Sequence, residues 1–126
     1  PLEAGLSWGV AFDKPGGFIG HDALVAQRDT GVTRRLVQFR LDDPGPLLYH
    51  DEPVLRDGQL VGRITSGMYG HTVGAALGMS YVDCEPGTPR AQVLEGTFEV
   101  DVNGVLVPAT ASYRPFYDPD SLRIRL

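Results

Sequence analysis

The sequence predicts a mainly β protein: a small antiparallel β-barrel, jelly-roll-like, of about six strands with one short helix. Three observations carry this. Sixteen glycines and ten prolines fall in short, evenly spread clusters, the punctuation of many short strands joined by tight turns. Asp57-Gly58 and Asn103-Gly104 each sit between two strand-like runs, and such pairs tolerate the positive φ angles of a type I′ hairpin turn. Several segments alternate apolar and polar residues with a period of two, as half-buried strands do. Two half-buried hairpins must face each other to hide their apolar sides, which leads to a closed barrel or a sandwich.

Taken in order, "LSWGVAF" is expected to be the first strand, with Leu6, Trp8, Val10 and Phe12 on one face. "DKPGG" breaks it. Ile19, Ala23, Leu24 and Gln27 then recur near helical spacing, which predicts a short helix over 21–29 with Gly31 as its left-handed cap. "TRRLVQFRL" alternates again, Val37, Phe39 and Leu41 against Leu36, Gln38 and Arg40, and "DDPGP" closes it as a turn. "PVLRDGQLVGRITSG" is the first hairpin. The glycine-rich "SGMYGHTVGAALG", Ser66 to Gly78, leads into the buried-looking strand "AALGMSYV" and reads as a barrel crossover. "DCEPGTPR" is a loop, and "TFEVDVNGVLVPATA" is the second hairpin, its register set by its turn. The proline- and aromatic-rich "SYRPFYDPDSLRIRL" is expected to wrap along the surface before a last short strand.

At 126 residues the chain is long enough for one domain with a real core and too short for two, so 1–126 is read as a single domain. The apolar fraction of 42% and charged fraction of 21% are those of a globular protein. No apolar run approaches the roughly 20 residues that span a bilayer. The net charge of -5, with only Arg34-Arg35 adjacent, argues against a nucleic-acid partner. One cysteine, Cys84, excludes an internal disulfide and a multi-cysteine metal site and points to a reducing compartment, the cytoplasm or the mitochondrial matrix. No signal-peptide pattern follows Pro1. Because the chain begins in mid-pattern, it is expected to be a piece of a longer polypeptide.

The search for chemistry returns no complete constellation. No serine lies in a G-x-S-x-G elbow, and His71, the histidine nearest to Ser66, has no acidic residue to orient it. "YHDE", Tyr49 to Glu52, places adjacent side chains on opposite faces of an extended segment, so no metal site is assigned. Asp42-Asp43, Asp118 and Asp120 lie beside prolines in turns, and turn chemistry explains them. A phosphate loop fails for want of its lysine, since Lys14 is the sole lysine. No catalytic residue is named.

Three stretches together resemble a known family: "PLEAGLSWGVAFDKPGGFIGHDAL", "RRLVQFRLDD" with "HDEPVLRDGQLVGRITSGMYGHTVGAALGMSYV", and "RPFYDP". The resemblance is to the C-terminal domain of the glycine cleavage T-protein (aminomethyltransferase) superfamily, which includes the folate-binding tails of dimethylglycine and sarcosine dehydrogenases. It implies a small β-barrel packed against a larger N-terminal folate-binding region that also carries the catalytic aspartate. It further implies a parent that transfers a one-carbon unit from an amine, such as glycine, dimethylglycine or sarcosine, to tetrahydrofolate. Tyr-Gly-His at 69–71 and the tail after "YDP" lean toward the flavin-dehydrogenase branch, with FAD in an upstream domain; a lipoyl carrier protein is the partner implied by the other branch.

Residue by residue, the resemblance carries over little. Trp8 matches a position where relatives place an aromatic near the folate, and its indole can stack on a pterin or aminobenzoyl ring; core filling on the first strand is the other reading. Tyr117 sits where the family's tail approaches the glutamyl end of the ligand, with Arg114 as a carboxylate partner through its planar fork; a strap packing aromatics on the barrel is the alternative for both. His71, beside Tyr69, is a candidate proton shuttle. The rival function is a structural or docking module that never touches the cofactor.

Overall fold

The computed structural model describes residues 1–125. Six strands make the body: β1 Arg34–Leu41, β2 Pro53–Arg56, β3 Gln59–Gly70, β4 Ala75–Asp83, β5 Phe98–Val102 and β6 Val105–Ser112. They close into a barrel in the order β1-β4-β3-β2-β5-β6, and β6 returns to β1. Every neighbouring pair is antiparallel. Helix α1, His21–Thr30, precedes the barrel, and a single turn, α2 at Arg90–Val93, lies between β4 and β5.

Both predicted tight turns form where the Asx-Gly pairs lie. Asp57 and Gly58 have φ of 51° and 77°, and Asn103 and Gly104 have 55° and 83°, the signs that a type I′ turn requires. Asp57 does a second job: its carboxylate accepts the Thr97 N–H at 2.8 Å and so ties the β2–β3 turn to the approach to β5. Gly104→Ala is expected to cost about 1 kcal/mol, since an alanine there would hold a left-handed conformation. A urea-unfolding midpoint unchanged from the parent sequence would contradict this.

Alternation decides what each strand buries. Along β1, Val37, Phe39 and Leu41 are fully buried while their neighbours are partly exposed. Phe39 meets Phe98 of β5 across the barrel, ring centroids 5.4 Å apart, a tilted pairing that adds to simple burial. Val54, Ile64, Val82 and Val100 fill the rest from the remaining strands, and Leu48, from the loop after β1, and Val93 of α2 complete the same core. Ser80 is the one fully buried polar residue among those described; its Oγ donates to the Tyr81 carbonyl at 3.2 Å.

Two expected strands are absent. "LSWGVAF" forms a 3-10 turn over Ser7–Gly9 instead of a strand, with Gly9 N–H donating to the Leu6 carbonyl and Val10 N–H to Ser7. Each barrel strand already has two ladder neighbours, and the stretch of β1 that β6 leaves unpaired is met by Glu3, ahead of this segment, whose carbonyl accepts the Leu36 N–H. The tail behaves likewise: a 3-10 turn at Arg123–Arg125 replaces the last short strand. The sequence reading also missed α2, which is too short to show a period. "SGMYGHTVGAALG" is a hairpin and no crossover: Ser66 to Gly70 is the second half of β3, His71 to Gly74 is the turn, and β4 starts at Ala75.

Helix α1 is fastened to the entry segment through His21. Its Nε2 lies 3.0 Å from the Phe12 carbonyl and its Nδ1 3.2 Å from Asp22 Oδ1. The carbonyl contact first, and the carboxylate second, hold the imidazole pKa above 6.5. A raised folded-state pKa means that this contribution to stability is complete below pH 6.5 and is lost as pH rises through the folded value. A pH titration followed by NMR should therefore place the His21 ring midpoint above 6.5, and His21→Phe should abolish the corresponding slope of stability with pH.

Candidate functional site

The three residues that the family resemblance singled out lie on irregular segments outside the barrel wall. Trp8 sits in the 3-10 turn, 84% exposed. The core-filling alternative is therefore overturned, since the indole is not part of the core cluster. What holds the turn in place is the chain just before it. Leu2 is buried, the Glu3 carbonyl accepts the Leu36 N–H of β1 at 2.9 Å, and the Glu3 carboxylate pairs with Arg34 at 2.9 Å. Glu3 Oε1 also accepts from the Gln27 amide of α1 at 3.4 Å. An exposed tryptophan on an anchored segment is a preorganised apolar plate.

Tyr117 and Arg114 lie in the strap after β6. Tyr117 is 46% exposed, with the Arg123 guanidinium 5.7 Å from its ring centroid. Arg114 is committed within the strap: one Nη donates to the Pro119 carbonyl at 3.0 Å and to the Asp120 carboxylate. Its backbone N–H donates to Ser112 Oγ at 2.9 Å. Asp118 completes the brace, its two carboxylate oxygens accepting the N–H groups of Leu122 and Arg123 at 2.8 and 3.0 Å. One Nη of Arg114 is thus engaged within the strap, while the side chain stays largely exposed. The strap does not pair as a strand because "RPFYDP" spends its polar groups on itself.

His71 and Tyr69 meet edge to face at the β3–β4 turn, ring centroids 5.2 Å apart. No carboxylate is bonded to His71 among the described residues, and the turn is exposed. Beside it, the outer faces of β3 and β4 bring Met68, Leu77 and Met79 into a shallow groove of about 230 Å³. The inward side of the same strands is filled: an added Cβ at Gly67 would lie 2.7 Å from Leu48, and one at Gly78 would meet Ile64 and Leu48. Glycine is needed here for packing, not for a ligand.

One group of residues escaped the sequence reading altogether. Arg35 at the start of β1, Tyr113 just past β6 and Arg90 at the start of α2 come together at one mouth of the barrel, next to Cys84. They are far apart in sequence and share no motif; only the strand register unites them. Burial pushes the Cys84 thiol up from its usual range, with Arg35 opposing, which disfavours the thiolate.

Relatives supply the remaining information. Residues 34–118 match the family described as "Glycine cleavage T-protein C-terminal barrel domain". The chain is 47% identical over 125 residues to "4-methylaminobutanoate oxidase (formaldehyde-forming)" of Paenarthrobacter nicotinovorans, which covers 99% of this chain and 14% of that protein. It is 42% identical over 118 residues to the "Aminomethyltransferase" of Rippkaea orientalis, covering 93% of this chain and 30% of that one. The solved structure of glycine cleavage system aminomethyltransferase T from Bartonella henselae superposes with a TM-score of 0.76 at 22% identity, over 94% of this chain and 32% of that one, a likeness of fold. The chain thus spans a third or less of the length of these relatives, and it belongs to the glycine cleavage T-protein C-terminal barrel domain family.

Proposed function

We propose that this barrel forms one wall of a tetrahydrofolate cleft in a longer protein that transfers a one-carbon unit from an amine to that cofactor. The observation that carries the reading is the mismatch of coverage: relatives align with nearly all of this chain, yet it makes up only 14% and 30% of their own lengths. Tetrahydrofolate, when bound, accepts the one-carbon unit. This chain's part is to present surface to it, and the residues present fit that role unequally. The exposed, anchored Trp8 suits stacking on an aromatic ring system, and Tyr117 offers a second half-exposed face. Arg114 braces the strap that carries Tyr117 through one Nη, bonded to Pro119 and Asp120, and its exposed Nε and other Nη suit a ligand carboxylate.

The higher identity to the oxidase than to the aminomethyltransferase, 47% against 42%, favours the oxidising branch. In that branch FAD occupies an upstream domain and the amine is N-methylated. A cleft completed by two domains loses most of its buried ligand surface when one is removed, so this chain alone is expected to bind tetrahydrofolate weakly or not at all. Micromolar affinity in a calorimetric titration would overturn that division. In the longer protein, Trp8→Leu is expected to weaken tetrahydrofolate binding about tenfold, the scale of one lost aromatic contact, with no change in the unfolding midpoint. An unchanged affinity would make the barrel a docking module, with a lipoyl carrier protein or a neighbouring domain as its partner.

A further inference from the structure

The mouth of the barrel that lies beside α2 is polar in an unusual way. On β1 the inward row runs Leu41, Phe39, Val37 and ends at Arg35; on β6 the row Val107, Ala109, Ala111 continues to Tyr113. The pairing of Gln38 with Ser112 brings these two row-ends together. Each places a polar end group on top of an apolar column. Tyr113 packs against the core cluster, and Arg90 stacks on its ring with Cζ 4.1 Å from the centroid. Burial raises the phenol's pKa, and the positive charges of Arg35 and Arg90 are the two leading influences that pull it back.

Hydrogen bonding at this mouth is incomplete. Arg35 Nε and the Tyr113 hydroxyl are both buried; Arg35 Nε has no partner among the described residues, and the phenol has no acceptor there, since the adjoining Arg90 guanidinium only donates. Among the described residues neither Arg35 nor Arg90 takes part in an ion pair, although Arg34, the immediate neighbour, is held by Glu3. A buried donor without an acceptor costs about 1–3 kcal/mol, and such groups are rare enough in folded proteins that each calls for an explanation. Here two of them coincide with two unpaired guanidinium groups in a chain whose net charge is -5. That is a local excess of donors and positive charge in an acidic protein.

We propose that Arg35, Arg90 and Tyr113 form a carboxylate-binding site, in which a carboxylate lies between the two guanidinium groups and accepts a third hydrogen bond from the phenol. The guanidinium fork matches the planar, two-oxygen geometry of a carboxylate. Both donor atoms are closed to solvent as placed, so the carboxylate reaches them as the Arg35 and Tyr113 side chains turn toward it. Arg90 is exposed and Arg35 partly so, so the open side faces solvent. The carboxylate comes from a small molecule or from an acidic side chain of a longer polypeptide.

Glutarate is a suitable probe, because it carries no pterin and its failure would leave the folate reading untouched. Arginine Nε–H resonances of this chain are followed by NMR during a titration. The Arg35 resonance is expected to move and saturate; Arg90→Met should weaken glutarate about tenfold and Tyr113→Phe, which keeps the ring under Arg90, a few-fold, as loss of one charge-assisted or one neutral donor predicts. A linear drift matched by chloride at equal ionic strength overturns the proposal. So does sulfate binding as tightly as glutarate. Repeating the titration on the longer protein separates the two sources: a resonance already at its saturated position and insensitive to glutarate identifies an internal acidic side chain, and a response equal to that of this chain identifies a small molecule.

Discussion

Phe39→Ala is expected to lower the stability of this chain by about 4 kcal/mol, the scale of a large aromatic removed from a sealed core. Phe39 is fully buried at the middle of β1, flanked on the same face by Val37 and Leu41 and met across the barrel by Phe98. The surrounding wall is a closed ladder and cannot collapse into the space, so most of the cavity should persist. Domains of this kind are stable by about 5–15 kcal/mol, so a loss of this size consumes much of the total. Urea denaturation should show a lower midpoint with an unchanged slope. A loss under about 1 kcal/mol would mean that the barrel relaxes around the gap and that the wall is softer than its pairing implies.

Gly67→Val should be nearly as damaging, by about 3 kcal/mol, for the opposite reason. Here the difficulty is excess volume. An added Cβ meets the Leu48 carbonyl carbon and Cβ at 2.7 Å, and Leu48 belongs to the core, so relief requires either its side chain or the loop that carries it to move. The neighbouring Met68→Ala makes a good control, since Met68 is exposed on the other face of β3 and its loss should change stability by less than about 0.5 kcal/mol. Equal effects at the two positions would show that the inward and outward faces of β3 have been assigned wrongly.

The elements legible in the sequence are those whose cause is local. Asp57-Gly58 and Asn103-Gly104 fix their turns by backbone preference alone, and the alternation in "RRLVQFRL" separates buried Val37, Phe39 and Leu41 from their neighbours. "LSWGVAF" alternates just as cleanly and is not a strand. Alternation states that a segment is able to pair; whether a ladder edge is free is a property of the whole barrel. The family resemblance singled out Trp8, but its exposure was not readable from the pattern, which counted it with the apolar face. Arg114 shows a related limit: the sequence does not reveal that one of its Nη groups is bonded to Asp120 within the strap. Arg35, Arg90 and Tyr113 could not be grouped at all without the register of β1 against β6.

The pairing of β1 with β6 joins residues near the two ends of the barrel sequence, Gln38 with Ser112 and Leu41 with Ala109. Contacts this distant along the chain form slowly, because a long loop must close before any of them is rewarded. Three of the six strand pairs are hairpins between neighbours in sequence, and the seam between the first and last strands spans the greatest distance along the chain. Folding should therefore wait on that seam. Until β6 is in place, β1 and β5 each keep an open edge, the condition under which chains pair with one another instead of with themselves. A polypeptide interrupted before Val105 would be caught permanently in that state, so premature termination in this stretch should yield aggregates and not a smaller, partly working barrel.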